Sequence, residues 1–279
     1  MRIIFIGCVE MSLTLLQHTY HLPNVKLVGV VTKKNASSNS DFCSLKSFAD
    51  EHHIPCYIMG PENKLDFAEW IRKFNADVAY CFGWSQMLSA QVLAAPRMGV
   101  IGYHPTPLPR NRGRHPIVWS LALGLEETAS TFFFMDDRAD GGDILCQNPV
   151  RIEFDDDAAS LYAKLASIAK QQITDFTSKL VDNSYERVPQ DDCLSNVWRK
   201  RTVEDGRIDW RMPALGIFNL VRALTHPYVG AHLNVNGNNK RVWKCKDVSF
   251  NYNNNSIENI EPGRVLTIKG GDIDVKCID

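Results

Sequence analysis

Short apolar, β-rich runs alternate with segments of helical periodicity along the first half of the chain, and no other feature constrains the fold as much. The runs lie at residues 2–7, 25–32, 54–58, 76–82, 99–103, 130–135 and 144–150. Most are apolar on both faces, which is the pattern of strands buried inside a parallel sheet. Residues 11–21, 41–53, 63–74 and 89–94 carry apolar side chains at helical spacing, and residues 156–180 form one long helical pattern. Parallel strands need crossovers that lay helices on the sheet. The expected fold is therefore α/β, a Rossmann-like, mostly parallel sheet flanked by helices.

The composition changes after about Asp182. A stretch rich in Asp, Asn and Ser leads to a helical segment at 214–224 and to short β-like pieces at 232–235, 241–245, 264–268 and 273–277. Asn and Gly turns separate these pieces, as in a small domain that is mainly β. The expected division is a catalytic domain over residues 1–190 and a β-rich domain over 191–279, with the Asn-rich residues 251–255 as a hairpin tip.

Charge and cysteine usage exclude several classes of function. The formal net charge is −1, and no long block of one sign occurs, so the basic stripe of a protein that grips a polyanion is missing. Eight cysteines are scattered singly, none at C-x-x-C spacing, which removes zinc ribbons and thioredoxin-type motifs. No apolar run approaches the ~18 residues of a membrane span, and the opening apolar segment is too short for a signal-peptide core. A cytoplasmic protein that holds no metal and binds neither membrane nor nucleic acid is expected.

Ligands of open parallel sheets bind beyond the carboxyl ends of the strands. The turn after the first run, Gly7-Cys8-Val9-Glu10-Met11, lacks the second and third glycines of the dinucleotide fingerprint, which argues against nicotinamide chemistry. Two other strand ends are richer. The first reads Gly102-Tyr103-His104-Pro105-Thr106-Pro107-Leu108-Pro109-Arg110-Asn111-Arg112-Gly113-Arg114-His115-Pro116. Its prolines restrict φ and stiffen the loop, which suits either a fixed general base at His104 or a histidine that merely caps the strand. The second, Asp136-Asp137-Arg138-Ala139-Asp140-Gly141-Gly142-Asp143, does not match a calcium loop. It is either a solvated acidic turn or the source of a carboxylate that orients His104.

Together these stretches resemble the folate-dependent formyltransferases, which include methionyl-tRNA, glycinamide ribonucleotide and sugar N-formyltransferases. The family pattern is Asn-x-His-Pro-Ser-Leu-Leu-Pro, then Arg-Gly, then Asp-x-Gly-Asp-Ile-Leu. Here His104, Arg112-Gly113 and Asp140 with Gly142-Asp143-Ile144-Leu145 take those places. Residues 222–231 are similar to the entry of the family's C-terminal β domain, so the resemblance covers nearly the whole chain. The family usually continues beyond the point where this sequence stops, which implies a shortened C-terminal domain.

The resemblance implies 10-formyltetrahydrofolate as co-substrate. Its pterin is expected between backbone segments that include Phe82, Gly83, Trp84, Met87 and Leu88 on one side and Phe134, Asp136, Asp137 and Asp140 on the other. His104 would take the proton of an attacking amine while Asp140 orients and charges the ring. The family's catalytic asparagine is replaced by Gly102. The vacated space is expected to be small and polar, fit for a water, with Gln86 or Asn111 as other donors to the oxyanion. A catalytically impaired folate-binding relative is the alternative that this glycine leaves open.

For the accepting amine, the segment after the second run has only Lys33 and Lys34 where methionyl-tRNA enzymes carry a longer basic insertion. This favours a small-molecule amino sugar, nucleotide-linked or of nonulosonic type, and Gly113–Pro116 also resembles formylation domains of nonribosomal peptide synthetases. Arg112, Arg114 and His115 suit an anion site on that substrate, with Tyr103 and Gln86 as pocket walls. Arg112 as a brace of its own loop is the competing role.

Overall fold

The computed structural model describes residues 1–35, 40–61, 66–246, 259–270 and 272–279. In chain order the elements are β1 (Arg2–Ile6), α1 (Glu10–Tyr20), β2 (Lys26–Lys33), α2 (Lys46–Glu51), β3 (Cys56–Met59), α3 (Phe67–Arg72), β4 (Val78–Cys81), α4 (Ala90–Leu93) and β5 (Val100–His104). They continue with β6 (Arg112–Gly113), α5 (Pro116–Ala122), β7 (Glu127–Phe134), β8 (Ile144–Arg151), α6 (Ala158–Val181) and β9 (Val197–Trp198). The tail supplies α7 (Ala214–Leu224), β10 (Ala231–Val235), β11 (Asn238–Val242), β12 (Val265–Lys269) and β13 (Asp272–Val275).

The chain divides into two compact units. One comprises Met1–Pro116, Glu127–Arg151 and Tyr162–Arg199, and the other Ile117–Glu126, Ile152–Leu161 and Lys200–Asp279. The first unit holds a seven-stranded sheet in the order β3-β2-β1-β4-β5-β7-β8. The β3, β2, β1, β4 and β5 neighbours are parallel, and β7 and β8 join antiparallel.

Alternation along β1 shows why its residues are apolar throughout. Ile4 and Ile6 join a cluster with Phe67 and Ile71 of α3 and Val92 of α4. Phe5 points to the other face, where its ring meets Phe82 edge-on at 5.4 Å. Tyr80 stacks on Phe82, and both Tyr80 and Phe132 meet Phe176 of α6. A strand covered on both faces has no side chain that can stay polar at low cost.

The departures from expectation have local causes. The helix expected from residue 41 begins only at Lys46, because Val9 and Phe42 form a β-bridge and Cys43 N donates to Cys8 O. β7 starts earlier than the apolar run because it hides hydroxyls: Thr128 and Thr131 Oγ1 donate to the carbonyls of Pro105 and Thr106 at 2.9 and 2.6 Å. In the second unit, Asn236 and Gly237 both have positive φ, the requirement of a two-residue hairpin turn. That turn fixes Val235 opposite Asn238 and so places β11 before the expected 241–245. β12 and β13 form a second two-stranded sheet, and residues 251–255 lie outside the described residues. Buried Arg222 of α7 donates to the carbonyls of Glu153, Phe154 and Asp156, which ties that excursion of the chain into the second unit.

Candidate active site

β5 ends at His104, at the carboxyl edge of the sheet, and the residue is only 5% exposed. Its Nε2 donates to the carbonyl of Asn111 at 2.8 Å. With that nitrogen committed, the neutral ring carries its lone pair on Nδ1. Nδ1 faces Asp140 Oδ2 at 3.7 Å, too far for a hydrogen bond but close enough for strong attraction once the ring is charged. The proton-accepting atom thus lies on the Asp140 side.

The loop after His104 is rigid for identifiable reasons. Thr128 and Thr131 pin two of its carbonyls, Thr106 Oγ1 donates to Arg110 O at 3.0 Å, and Thr106 itself is buried. The stretch then turns back, and Gly113 N donates to Asp140 Oδ2 at 2.9 Å. Asp140 has a φ of 54°, an uncommon conformation for a residue with a side chain. Two residues on, a Cβ at Gly142 would overlap the Phe134 carbonyl oxygen, so only glycine lets these backbones approach. Arg138 folds over the acidic turn, donating to Asp136, to the Gly141 carbonyl and to Asp192. No group of three His, Cys, Asp or Glu among the described residues could hold a metal.

Gly102 differs from expectation. The space beside it is neither polar nor vacant: a Cβ there would lie 2.8 Å from Phe133 Cζ and 2.9 Å from Met135 Cγ. Gly102 pairs with Phe133 across β5 and β7, so the two residues point to the same face of the sheet, and the ring fills the site that a side chain would claim. Gln86 is exposed, and the Asn111 and Asn196 side chains are bonded to each other at 3.1 Å.

The residues expected to meet a substrate scatter. Arg112 is 7% exposed, with Nε and Nη2 donating to Gln190 Oε1 at 3.1 and 2.7 Å and Nη2 to Asp192 at 2.8 Å. The arginine braces its loop through side chains. The hydrogen bond from Arg112, with Arg138 beside it, holds the Asp192 carboxyl below its ordinary range. Arg114 reaches the Ser85 carbonyl at 3.1 Å, and half-buried His115 has a φ of 56°. Tyr103 packs against Phe132 and accepts from Ser130 Oγ, and burial pushes its phenol well up. Its ring packs on the aromatic core while the residue stays half-buried.

The segments expected to take the pterin present mixed surfaces. The Phe82 ring lies in the aromatic core and the Phe134 ring beneath the Arg187 guanidinium, so each can offer a ligand only main chain. Asp136 is engaged by Arg138, and Asp137 is exposed. Beside Trp84 there is a cavity of about 360 Å³, lined by Met59, Phe67, Trp84, Met87, Leu88 and Val92 together with the polar Gln86 and Ser89, so Gln86 is a wall of this cavity. Trp84 Nε1 is buried without a hydrogen-bond partner among the described residues, and Lys33 Nζ sits 4.5 Å above its ring. The lining is mostly apolar, with the Trp84 indole N–H and two polar side chains at hand. Gln190, Asp192 and Asn196 were not legible in the sequence, since no local pattern marks them.

Residues 1–177 match the family described as Formyl transferase, and residues 200–279 match Formyl transferase, C-terminal domain. The chain belongs to the formyl transferase family. It is 33% identical to the methionyl-tRNA formyltransferase of Ruminiclostridium cellulolyticum over 100% of this chain and 89% of that protein. It is 32% identical to the bifunctional polymyxin resistance protein ArnA of Wigglesworthia glossinidia brevipalpis, over 81% of this chain and 35% of that protein. Among solved structures, a 4-N formyltransferase from Francisella tularensis superposes with a TM-score of 0.68 at 22% identity, covering 86% of this chain and 96% of that one. An N-formyltransferase from Helicobacter canadensis, in complex with folinic acid and dTDP-3-aminofucose, gives 0.64 at 18%, covering 84% of each. This formyltransferase carries His104 and Asp140 on adjoining loops of one unit, facing each other.

Proposed function

We propose that this formyltransferase moves the formyl group of 10-formyltetrahydrofolate onto the primary amine of an amino sugar. The observation that carries the reading is the His104–Asp140 pair at the sheet's carboxyl edge, with a free lone pair on Nδ1 and a carboxylate 3.7 Å away. The cavity beside Trp84 would take the pterin or the aromatic ring attached to it, with Nε1 as donor. The amine nitrogen attacks the formyl carbon, whose oxygen becomes an oxyanion. His104 Nδ1 takes the amine proton, and Asp140 stabilises the imidazolium. Collapse breaks the bond to the folate nitrogen, which receives the proton from His104. The products are a formamide and tetrahydrofolate. Gly102 has no side chain to donate, so the protonated His104 ring is the donor assigned to the oxyanion in this reading.

The sugar reading draws on the Helicobacter protein, solved with a dTDP-linked amino sugar, and on the near-zero net charge. A second reading has specific support: the methionyl-tRNA enzyme is similar along the whole chain, and in the sequence Lys240, Arg241, Lys244 and Lys246 flank Trp243, which is 40% exposed. The test is tetrahydrofolate release from 10-formyltetrahydrofolate across nucleotide-linked amino sugars, charged initiator tRNA and aminoacyl carrier proteins. Turnover is expected with an amino sugar. Efficient formylation of methionyl-tRNA at physiological salt would reverse the ranking, and folate binding without turnover on any amine would mark an impaired relative.

A further inference from the structure

We infer that Gln190 is the positioning residue that sets the His104–Asp140 pair. Its carboxamide is fully used. Nε2 donates to the carbonyls of Asp140 at 2.9 Å and Gly142 at 2.6 Å, while Oε1 accepts both Nε and Nη2 of Arg112. The two loops it joins are the ones that hold the catalytic atoms. Asn111, just before Arg112, accepts from His104 Nε2, and Gly113, just after it, donates to the Asp140 carboxylate. The result is a closed ring of contacts from the Asp140 carboxylate through Gly113, Arg112 and Gln190 back to the Asp140 carbonyl.

The chemistry of the ring singles out an amide. One end must donate twice to carbonyls and the other must accept twice from a guanidinium, and among side chains glutamine or asparagine alone does both. A glutamate would keep Arg112 but set a carboxylate oxygen against two carbonyl oxygens. A leucine would leave the buried Arg112 guanidinium with only the Asp192 carboxylate as hydrogen-bond acceptor among the described residues. Asp140 also needs an external hold, because its φ of 54° is not self-sustaining for a non-glycine residue. Gln190 supplies that hold at the main chain, and Gly113 supplies it at the carboxylate. The 3.7 Å gap between Nδ1 and Oδ2 is therefore set from a residue fifty positions further along the chain.

This inference rests on the formyl-transfer reading, and the experiment separates the two. Gln190→Glu and Gln190→Leu are compared with wild type in steady state, and again in an Asp140→Ala background. Gln190→Glu is the informative variant if Gln190→Leu fails to fold, since it retains the Arg112 contacts. Turnover should fall ~10–100-fold, with KM for the formyl donor within ~3-fold, because geometry at the reacting atoms is lost while the folate cavity is untouched. In the Asp140→Ala background the same change should cost less than ~3-fold, as Gln190 acts through Asp140. The ring resonances of His104 in a ¹⁵N-histidine spectrum, assigned by their loss in His104→Ala, should shift. Wild-type-like turnover, a loss that multiplies with Asp140→Ala, or unmoved His104 resonances would each overturn the inference. If the wild type formylates no amine, the functional reading falls, and the His104 spectrum still decides the role of Gln190.

Discussion

Adding a single methyl group at Gly102 tests how the site is built. In Gly102→Ala the new Cβ lies 2.8 and 3.0 Å from Cζ and Cε1 of Phe133 and 2.9 Å from Met135 Cγ. Carbon atoms at rest keep about 3.5–4.0 Å, so both side chains must move. Phe133 is 2% exposed and sits on a strand bonded on both sides, which leaves its ring little room. Overpacking of a full core costs roughly 1–3 kcal/mol, which lowers the melting temperature by several degrees in a unit of this size. The compensating change is Phe133→Leu, which removes Cζ and Cε1. In the double variant the alanine methyl should occupy part of the vacated space, so the destabilisations should fall short of additivity by about 1 kcal/mol. Urea and thermal unfolding of the four proteins measure this directly. Gly102→Asn should be destabilised at least as much and should not raise turnover, since its amide has no room to reach a reacting group. An unchanged melting temperature for Gly102→Ala, strict additivity in the cycle, or a gain in rate for Gly102→Asn would each refute the packed-site argument.

His104→Ala and Asp140→Ala should each lower turnover by at least ~100-fold while folate binding persists, and the double variant should be little worse than either single one. Trp84→Phe keeps the apolar surface but removes the unspent Nε1 donor, so it should weaken folate binding by about 1 kcal/mol in fluorescence titration; unchanged affinity would place the folate elsewhere. Burial pushes the Cys8 thiol up to about 11 and the Cys146 thiol up to about 12. In the unfolded chain such thiols ionise near 8.5, so the folded state holds more protons above that pH and stability should decline as pH rises from about 9 towards 11. Melting temperatures across that range measure the decline, and at pH 8 a thiol reagent should modify exposed Cys193 well before buried Cys8 or half-buried Cys146.

The sequence by itself determined a good deal of this protein. Apolar runs covered on both faces marked β1, β2, β4 and β5 to within a residue or two, because a buried strand leaves no position for a polar side chain. The prolines after His104 and the glycines after Asp140 marked two loops whose backbones are constrained by φ and by close approach, and such constraints are written in single residues. The helix at residue 41 and the position of β11 failed, because a β-bridge and a turn outweighed periodicity there. What only the tertiary structure decided is who faces whom. Gly102 appeared to be a vacancy until Phe133, brought opposite by antiparallel pairing, was seen to fill it. Arg112 suited a substrate anion until Gln190 and Asp192 arrived from far along the chain to claim its guanidinium. Glutamine at position 190 has no local signature, since its four bonds are made to groups that only the fold brings within 3.1 Å. Local rules read the backbone, whereas long-range hydrogen bonds and packing assign each side chain its work.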